Sequence, residues 1–135
     1  MYIVFGDEIV DSQEIISIIE ENSDFVVEND LTKSTKREDT LAYKLSIDIK
    51  ILDNIIKEDY EIIHKDELFD EYMALSDELA MQLEEYMSED VILNARAYKW
   101  DSSDDTIKVI ISMAHYELGE LKLSDITKRL LNQVD

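Results

Sequence analysis

Between Leu41 and Ile51 the apolar residues Leu41, Tyr43, Leu45, Ile47, Ile49 and Ile51 alternate with Ala42, Lys44, Ser46, Asp48 and Lys50. A period of two cannot gather its apolar members on one side of a helix, but it places all of them on one face of a strand. The chain must therefore build a sheet whose one face covers a core. The alternate face is largely polar, so the sheet is expected to be antiparallel and open to water on that side.

The flanking segments supply partners for that strand. Residues 2–5 form an apolar run stopped by Gly6-Asp7 and read as a short buried strand. Asp11 followed by Glu14 has the spacing of a capping box ahead of a short helix through Ile15, Ile16, Ile18 and Ile19, ending near Asn22-Ser23. Residues 24–28, centred on Phe25-Val26-Val27, read as a strand. Residues 29–40 are polar and aperiodic, a hairpin loop holding the basic cluster Lys33, Lys36 and Arg37. Three bases make no nucleic-acid-binding stripe in a chain of net charge −20. Residues 52–65 read as a short helix. Val91–Trp100, the turn Asp101–Asp105 and Thr106–Met113 read as a second hairpin, with a competing helical pattern over 107–118. Gly119 breaks the pattern, and Ser124 caps a final helix that carries Lys128 and Arg129 near its C-terminus, where cations are favoured. Helices and strands in mixed order with two hairpins give an α+β class: a mainly antiparallel sheet packed on one long acidic helix and shorter N- and C-terminal helices, in a single domain over 1–135.

That long helix is expected over Asp66–Ser88. Leu68, Phe69, Tyr72, Met73, Leu75, Leu79, Ala80, Leu83, Tyr86 and Met87 fall on one arc at about 100° per residue. Asp66, Glu67, Asp70, Glu71, Asp77, Glu78, Glu84 and Glu85 fall on the other, with Met81 among them. The doublets Asp70-Glu71, Asp77-Glu78 and Glu84-Glu85 recur every seven residues, a rise of about 10.5 Å. They predict a near-axial ladder of charge, extended by Glu89 and Asp90. No Lys or Arg lies between Lys65 and Arg96. Residues 66–105 hold 13 acids against 2 bases, whereas residues 106–135 are balanced at 4 and 4. Like charges three and four apart cost a helix a few tenths of a kcal/mol each, and here no base on the same face offsets them.

Signals for chemistry are sparse. With two glycines and no cysteine, neither a phosphate-cradling loop nor a thiol site can be written. His64 and His115 sit in different elements and read as structural. Asp101, Asp104 and Asp105 share a loop but lack the alternation, the glycine and the closing Glu of a calcium loop. No catalytic residue, metal or cofactor is expected. No apolar run spans a membrane, and Met1–Phe5 is too short for a signal peptide, so the cytoplasm is the expected compartment. Absence of proline and an excess of Ile over Leu accord with a low-GC bacterial or phage genome.

The function expected from these features is inhibition by contact. Asp70, Glu71, Asp77, Glu78, Met81, Glu84, Glu85, Glu89 and Asp90 would occupy the basic groove of a nucleic-acid-handling protein, in the manner of anti-restriction or anti-CRISPR DNA mimics, the acids through charge and Met81 through an apolar contact at their centre. The partner is a basic protein, not nucleic acid and not a membrane. The alternatives are an immunity protein or antitoxin that masks one basic toxin, and a structural or adaptor subunit that forms a homodimer through its hairpin.

Overall fold

A computed structural model describes residues 1–59 and 65–134. Among these residues six strands form two antiparallel sheets and four helices pack on them, an α+β fold. β1 (Tyr2–Phe5) and β2 (Glu8–Asp11) form a two-stranded hairpin. β3 (Val26–Asp30), β4 (Thr40–Asp48), β5 (Val91–Asp101) and β6 (Thr106–His115) form a four-stranded sheet in the order β3-β4-β6-β5. α1 (Ser12–Asn22), α2 (Ile49–Asp59) and α3 (Lys65–Met81) pack on one face, and α4 (Glu120–Leu131) packs on the other. Among the described residues no helix is long and apolar enough to cross a membrane.

The first face carries the main core. Leu41, Tyr43, Leu45 and Ile47 of β4 meet Ile107, Val109, Ile111 and Met113 of β6, and all are buried under Ile15, Ile19, Leu52 and Tyr72 of the helices. The second face is not open to water as the alternation suggests. At one end α4 covers it, with Ile126 and Leu130 on Ala42 and Ile110. Ala42 is small enough to let a helix approach, which the pattern alone reads as merely non-apolar. At the other end Lys44 and the buried Lys108 close over the sheet with Glu28. β6 is thus covered on both faces and flanked by strands on both sides, so its near-continuous apolar run belongs to a strand and the helical pattern over 107–118 is not used.

Several boundaries differ from the sequence expectation for local reasons. The alternating strand stops at Asp48, whose carboxylate accepts from the Lys50 N–H at 2.8 Å and opens α2. Ile49, Leu52 and Ile56 are then buried at helical spacing, so Ile49 belongs to both periods. Residues 2–5 are half-buried: Ile3 and Phe5 face the core while Tyr2 and Val4 face water. Gly6, at φ +62, turns the chain into β2, which sequence reasoning missed. Asp11 does cap α1, but its side chain accepts from the Gln13 N–H. Within 29–40, Asn29 and Asp30 complete β3 and Thr32–Thr35 form a 3-10 turn with Thr32 and Thr35 buried. The last helix begins at Glu120 after Gly119, and Ser124 lies inside it. The segment 60–64, which includes His64, lies outside the described residues.

Candidate functional site

α3 is set by its contacts with β5. Tyr72, Ser76 and Ala80 are buried along one seam, continued by Leu83. Ser76 and Ala80 are small and admit the strand closely. The Tyr72 ring packs edge-on against Trp100 at 5.2 Å, and its hydroxyl donates to Asp53 of α2. Burial first and that hydrogen bond second push the Tyr72 hydroxyl up to about 12. This seam decides which acids face outward.

The helix is shorter than expected. After Met81 it tightens into a 3-10 turn over Gln82–Tyr86, and Met87 is extended. The doublets do not form a straight two-wide ladder, because seven residues fall short of two full turns and the row drifts by about 20° each repeat. The first member of each pair drifts towards the sheet: Asp70 is exposed, but Asp77 is half-buried and accepts the Ala97 N–H of β5 at 2.5 Å. The second member drifts outward: Glu71 is half-buried, Glu78 exposed. In the 3-10 turn Glu84 is half-buried and Glu85 exposed. Desolvation raises the Asp77 carboxyl above its ordinary value against the lowering effects of the Ala97 hydrogen bond and the Arg96 charge.

The outward row is therefore Glu67, Asp70, Glu78, Met81 and Glu85, followed by Glu89 and Asp90 in the turn before β5, all exposed. Two residues assigned to the apolar arc flank it in water: Phe69 is 46% exposed and Tyr86 50%. Neither was foreseen at this surface, since an aromatic on an apolar arc carries no sign of exposure. Besides an open depression of about 440 Å³ bounded by Met81, Glu84, Glu85 and Glu89, two others adjoin the row. One of about 370 Å³ lies between α2 and α3, with Ile55 and Leu75 in its wall and Glu71 and Glu78 beside them. The other, of about 200 Å³, has Phe25 and Leu83 in its wall with Asp24, Glu85 and Tyr86 beside them. Asp24 at the end of α1 thus extends the acidic surface beyond the segment singled out from sequence.

Among the described residues no carboxylate from Glu67 to Asp90 has a Lys or Arg nitrogen within 4 Å. The ion pairs lie elsewhere, at Met1–Asp11, Arg37–Asp39, and around Lys44 and Lys108. Arg37 grips Asp39 with two nitrogens, at 2.8 and 2.9 Å, so one member of the basic cluster is engaged internally.

The other candidates are absorbed by local structure. Asp101 accepts from the backbone and hydroxyl of Ser103, and Asp104 accepts from Thr106 and Lys108. The His115 Nδ1 accepts from the Glu117 N–H at 3.3 Å, and its ring lies on Tyr116 at 4.5 Å. Comparison with protein-family models, curated proteins and solved structures found no match.

Proposed function

We propose that the chain is an inhibitor that presents the acidic row of α3 and the following turns to the basic groove of a nucleic-acid-handling protein, in place of nucleic acid. The observation that carries the reading is the row itself: Glu67, Asp70, Glu78, Glu85, Glu89 and Asp90 are exposed and, among the described residues, have no Lys or Arg nitrogen within 4 Å. A partner supplying Lys or Arg would relieve the repulsion along α3 and displace cations gathered at its carboxylates, as it displaces those condensed on phosphates. Met81, with Phe69 and Tyr86 on the flanks, adds apolar contact within the charged surface. The row shares the sign of a nucleic acid's charge at lower density, since Glu67, Asp70, Glu78 and Glu85 spread over about 27 Å while each strand of a duplex carries a phosphate about every 3.4 Å of its axis. The reading carries with it a cytoplasmic site of action.

The test is capture of partners from a low-GC bacterial lysate on the wild-type chain and on Asp70→Asn/Glu78→Gln/Glu85→Gln, at low and high salt. Recovery of nucleic-acid-handling proteins by the wild type alone, lost at high salt, supports the reading. Equal recovery by the neutralised variant refutes it. A single partner held at both salts would point instead to an immunity-type complex.

A further inference from the structure

The two outer strands of the four-stranded sheet carry the same device. Among the described residues β3 pairs with β4 alone and β5 with β6 alone, so each leaves one edge of backbone groups without a neighbouring strand. Each is interrupted by a bulge, with Glu28 inserted between Val27 and Asn29 and Tyr98 between Ala97 and Lys99. In both, the residue just before the bulge gives its N–H to a carboxylate from the helical layer. Val27 donates to Glu20 of α1 at 3.0 Å, and Ala97 donates to Asp77 of α3 at 2.5 Å. Two unrelated helices thus treat two edges alike.

A strand adding to an edge must place its carbonyl oxygen on the outward N–H groups. A carboxylate already on that N–H takes the donor and sets negative charge where the incoming oxygen would sit. The bulge beside it breaks the regular spacing that an added strand needs. We propose that Glu20 and Asp77 lock the two edges of the sheet against a strand from a second copy of this chain, and that β5 is the edge that pairs when its lock is removed. β5 runs for 11 residues against 5 in β3. Its residues Leu93 and Ala95 share the outward parity of Ala97. From Val91 to Trp100 it holds Arg96 and Lys99 and no acid, whereas β3 carries Glu28 and Asp30. Two copies of β5 can meet antiparallel about a two-fold axis, which closes the assembly at a dimer.

The test uses the full chain with Asp77→Ala and Glu20→Ala, and with Asp77→Asn, whose amide oxygen can still accept. Sedimentation velocity over a hundredfold range of concentration reads association, and amide exchange by NMR at low concentration reads the edge. Wild type and Asp77→Asn are expected to remain monomers with the Ala97 amide protected. Asp77→Ala should exchange that amide on the order of tenfold faster or more and form a dimer as concentration rises. Glu20→Ala should expose the Val27 amide and stay monomeric. If Asp77→Ala does not fold, Asp77→Ser, polar but too short to reach the strand, reads the same two quantities. A monomeric Asp77 variant whose Ala97 amide is unprotected would overturn the proposal. So would a protected amide in that variant, a wild-type dimer through β5, or a dimer of Asp77→Asn, which would make charge alone the lock.

Discussion

Lys108→Met is the substitution whose effect the structure defines best. The Lys108 side chain is 4% exposed, on the second face of the sheet beside β4. Its ammonium reaches Glu28 at 2.5 Å, Asp104 at 2.8 Å and Asp101 at 4.0 Å, tying β3, β6 and the β5–β6 turn together. Methionine keeps the aliphatic stem, so little packing is lost. What is lost is the charge, which leaves Glu28 and the turn carboxylates facing one another with only Lys44, 3.7 Å from Glu28, as a remaining cation. Removing one partner of a fully buried pair costs about 3–5 kcal/mol. Here Glu28 is 26% exposed, so water recovers part of its solvation and the expected loss falls to about 1.5–3 kcal/mol. For a chain of 135 residues, with an unfolding entropy of about 2.1 cal/mol/K per residue, that is a fall of about 5–10 °C in Tm. Urea unfolding monitored by Trp100 fluorescence measures it, and Lys108→Met/Glu28→Gln/Asp104→Asn should recover part of the loss because no uncompensated charge remains. A loss below about 0.5 kcal/mol, or a triple variant no better than the single one, would refute this account of the cluster.

The same cluster fixes a pH window. Burial acts to raise the Glu28 carboxyl, but the Lys108 hydrogen bond and the Lys108 and Lys44 charges outweigh it and hold it below its ordinary value. The Lys108 and Thr106 hydrogen bonds hold Asp104 down as well. Lowered carboxyls contribute stability that is present above their unfolded values of 4.5 and 3.8 and is lost as pH falls through the folded ones. Burial acts to lower the Lys108 ammonium, but Asp104 and Glu28 raise it overall, so its contribution is full below the unfolded value of 10.5 and is lost as pH rises through the folded one. The gap between wild type and Lys108→Met should therefore be widest between about pH 5 and 10 and should close on either side.

Three further outcomes follow from single contacts. Asp77→Asn should be at least as stable as wild type at pH 7: desolvation raises the folded carboxyl above 3.8, so the charged form costs stability as pH rises through that range, and thermal melts should show any advantage vanish towards pH 3. Thr127→Val should cost about 1–2 kcal/mol in urea, because it leaves the buried Ser112 hydroxyl, 2.6 Å from Thr127, without that partner; Ser112→Ala added to it should recover part of the loss. Gly6→Ala should cost at least about 1–2 kcal/mol, since φ is +62 and a Cβ would stand 2.9 Å from the His115 ring; unchanged His115 resonances in the variant would count against it.

The sheet was legible where alternation ran for several residues, even over Thr106–Met113 where a helical pattern competed. Thr106–Met113 and Val91–Trp100 pair as a hairpin, and Leu41–Ile47 lines the core as the alternation requires. Legibility failed where one residue satisfied two patterns or a small residue concealed a contact. Ile49 suits both the strand and α2, and the carboxylate of Asp48 decides between them. Ala42 and Ser76 bring helices against the two faces, and both stand at positions where the patterns place the polar side or no large apolar residue. At the acidic surface, the exposure of Asp70, Glu78 and Met81 could be read from helical spacing, while Glu85, Glu89 and Asp90 are exposed in the turns that follow α3. The turn of Asp77 into β5 could not, because it depends on how α3 is rotated by Tyr72 and Ala80 against strands far away in sequence.

The acids of the helical layer divide by what they bind. Glu20 and Asp77 take backbone donors at the sheet edges, and Asp53 takes the Tyr72 hydroxyl. Each of these satisfies a donor, and at the half-buried Asp53 and Asp77 that offsets part of the cost of holding a carboxylate there. Lys44 and Lys108 sit on the opposite face of the sheet with Glu28, and Lys128 and Arg129 lie in the last turn of α4. Lys50 and Lys57 belong to α2 and Lys65 opens α3, but no base follows on α3, and the surplus of acids is left on its outer side. Charge that served solubility alone would be as effective scattered with both signs, and would spare α3 its repulsion. Concentrating it on one helix whose inward side is already committed to β5 leaves the outer carboxylates, among the described residues, without a Lys or Arg nitrogen within 4 Å, and the proposal of an intermolecular role rests on that surplus.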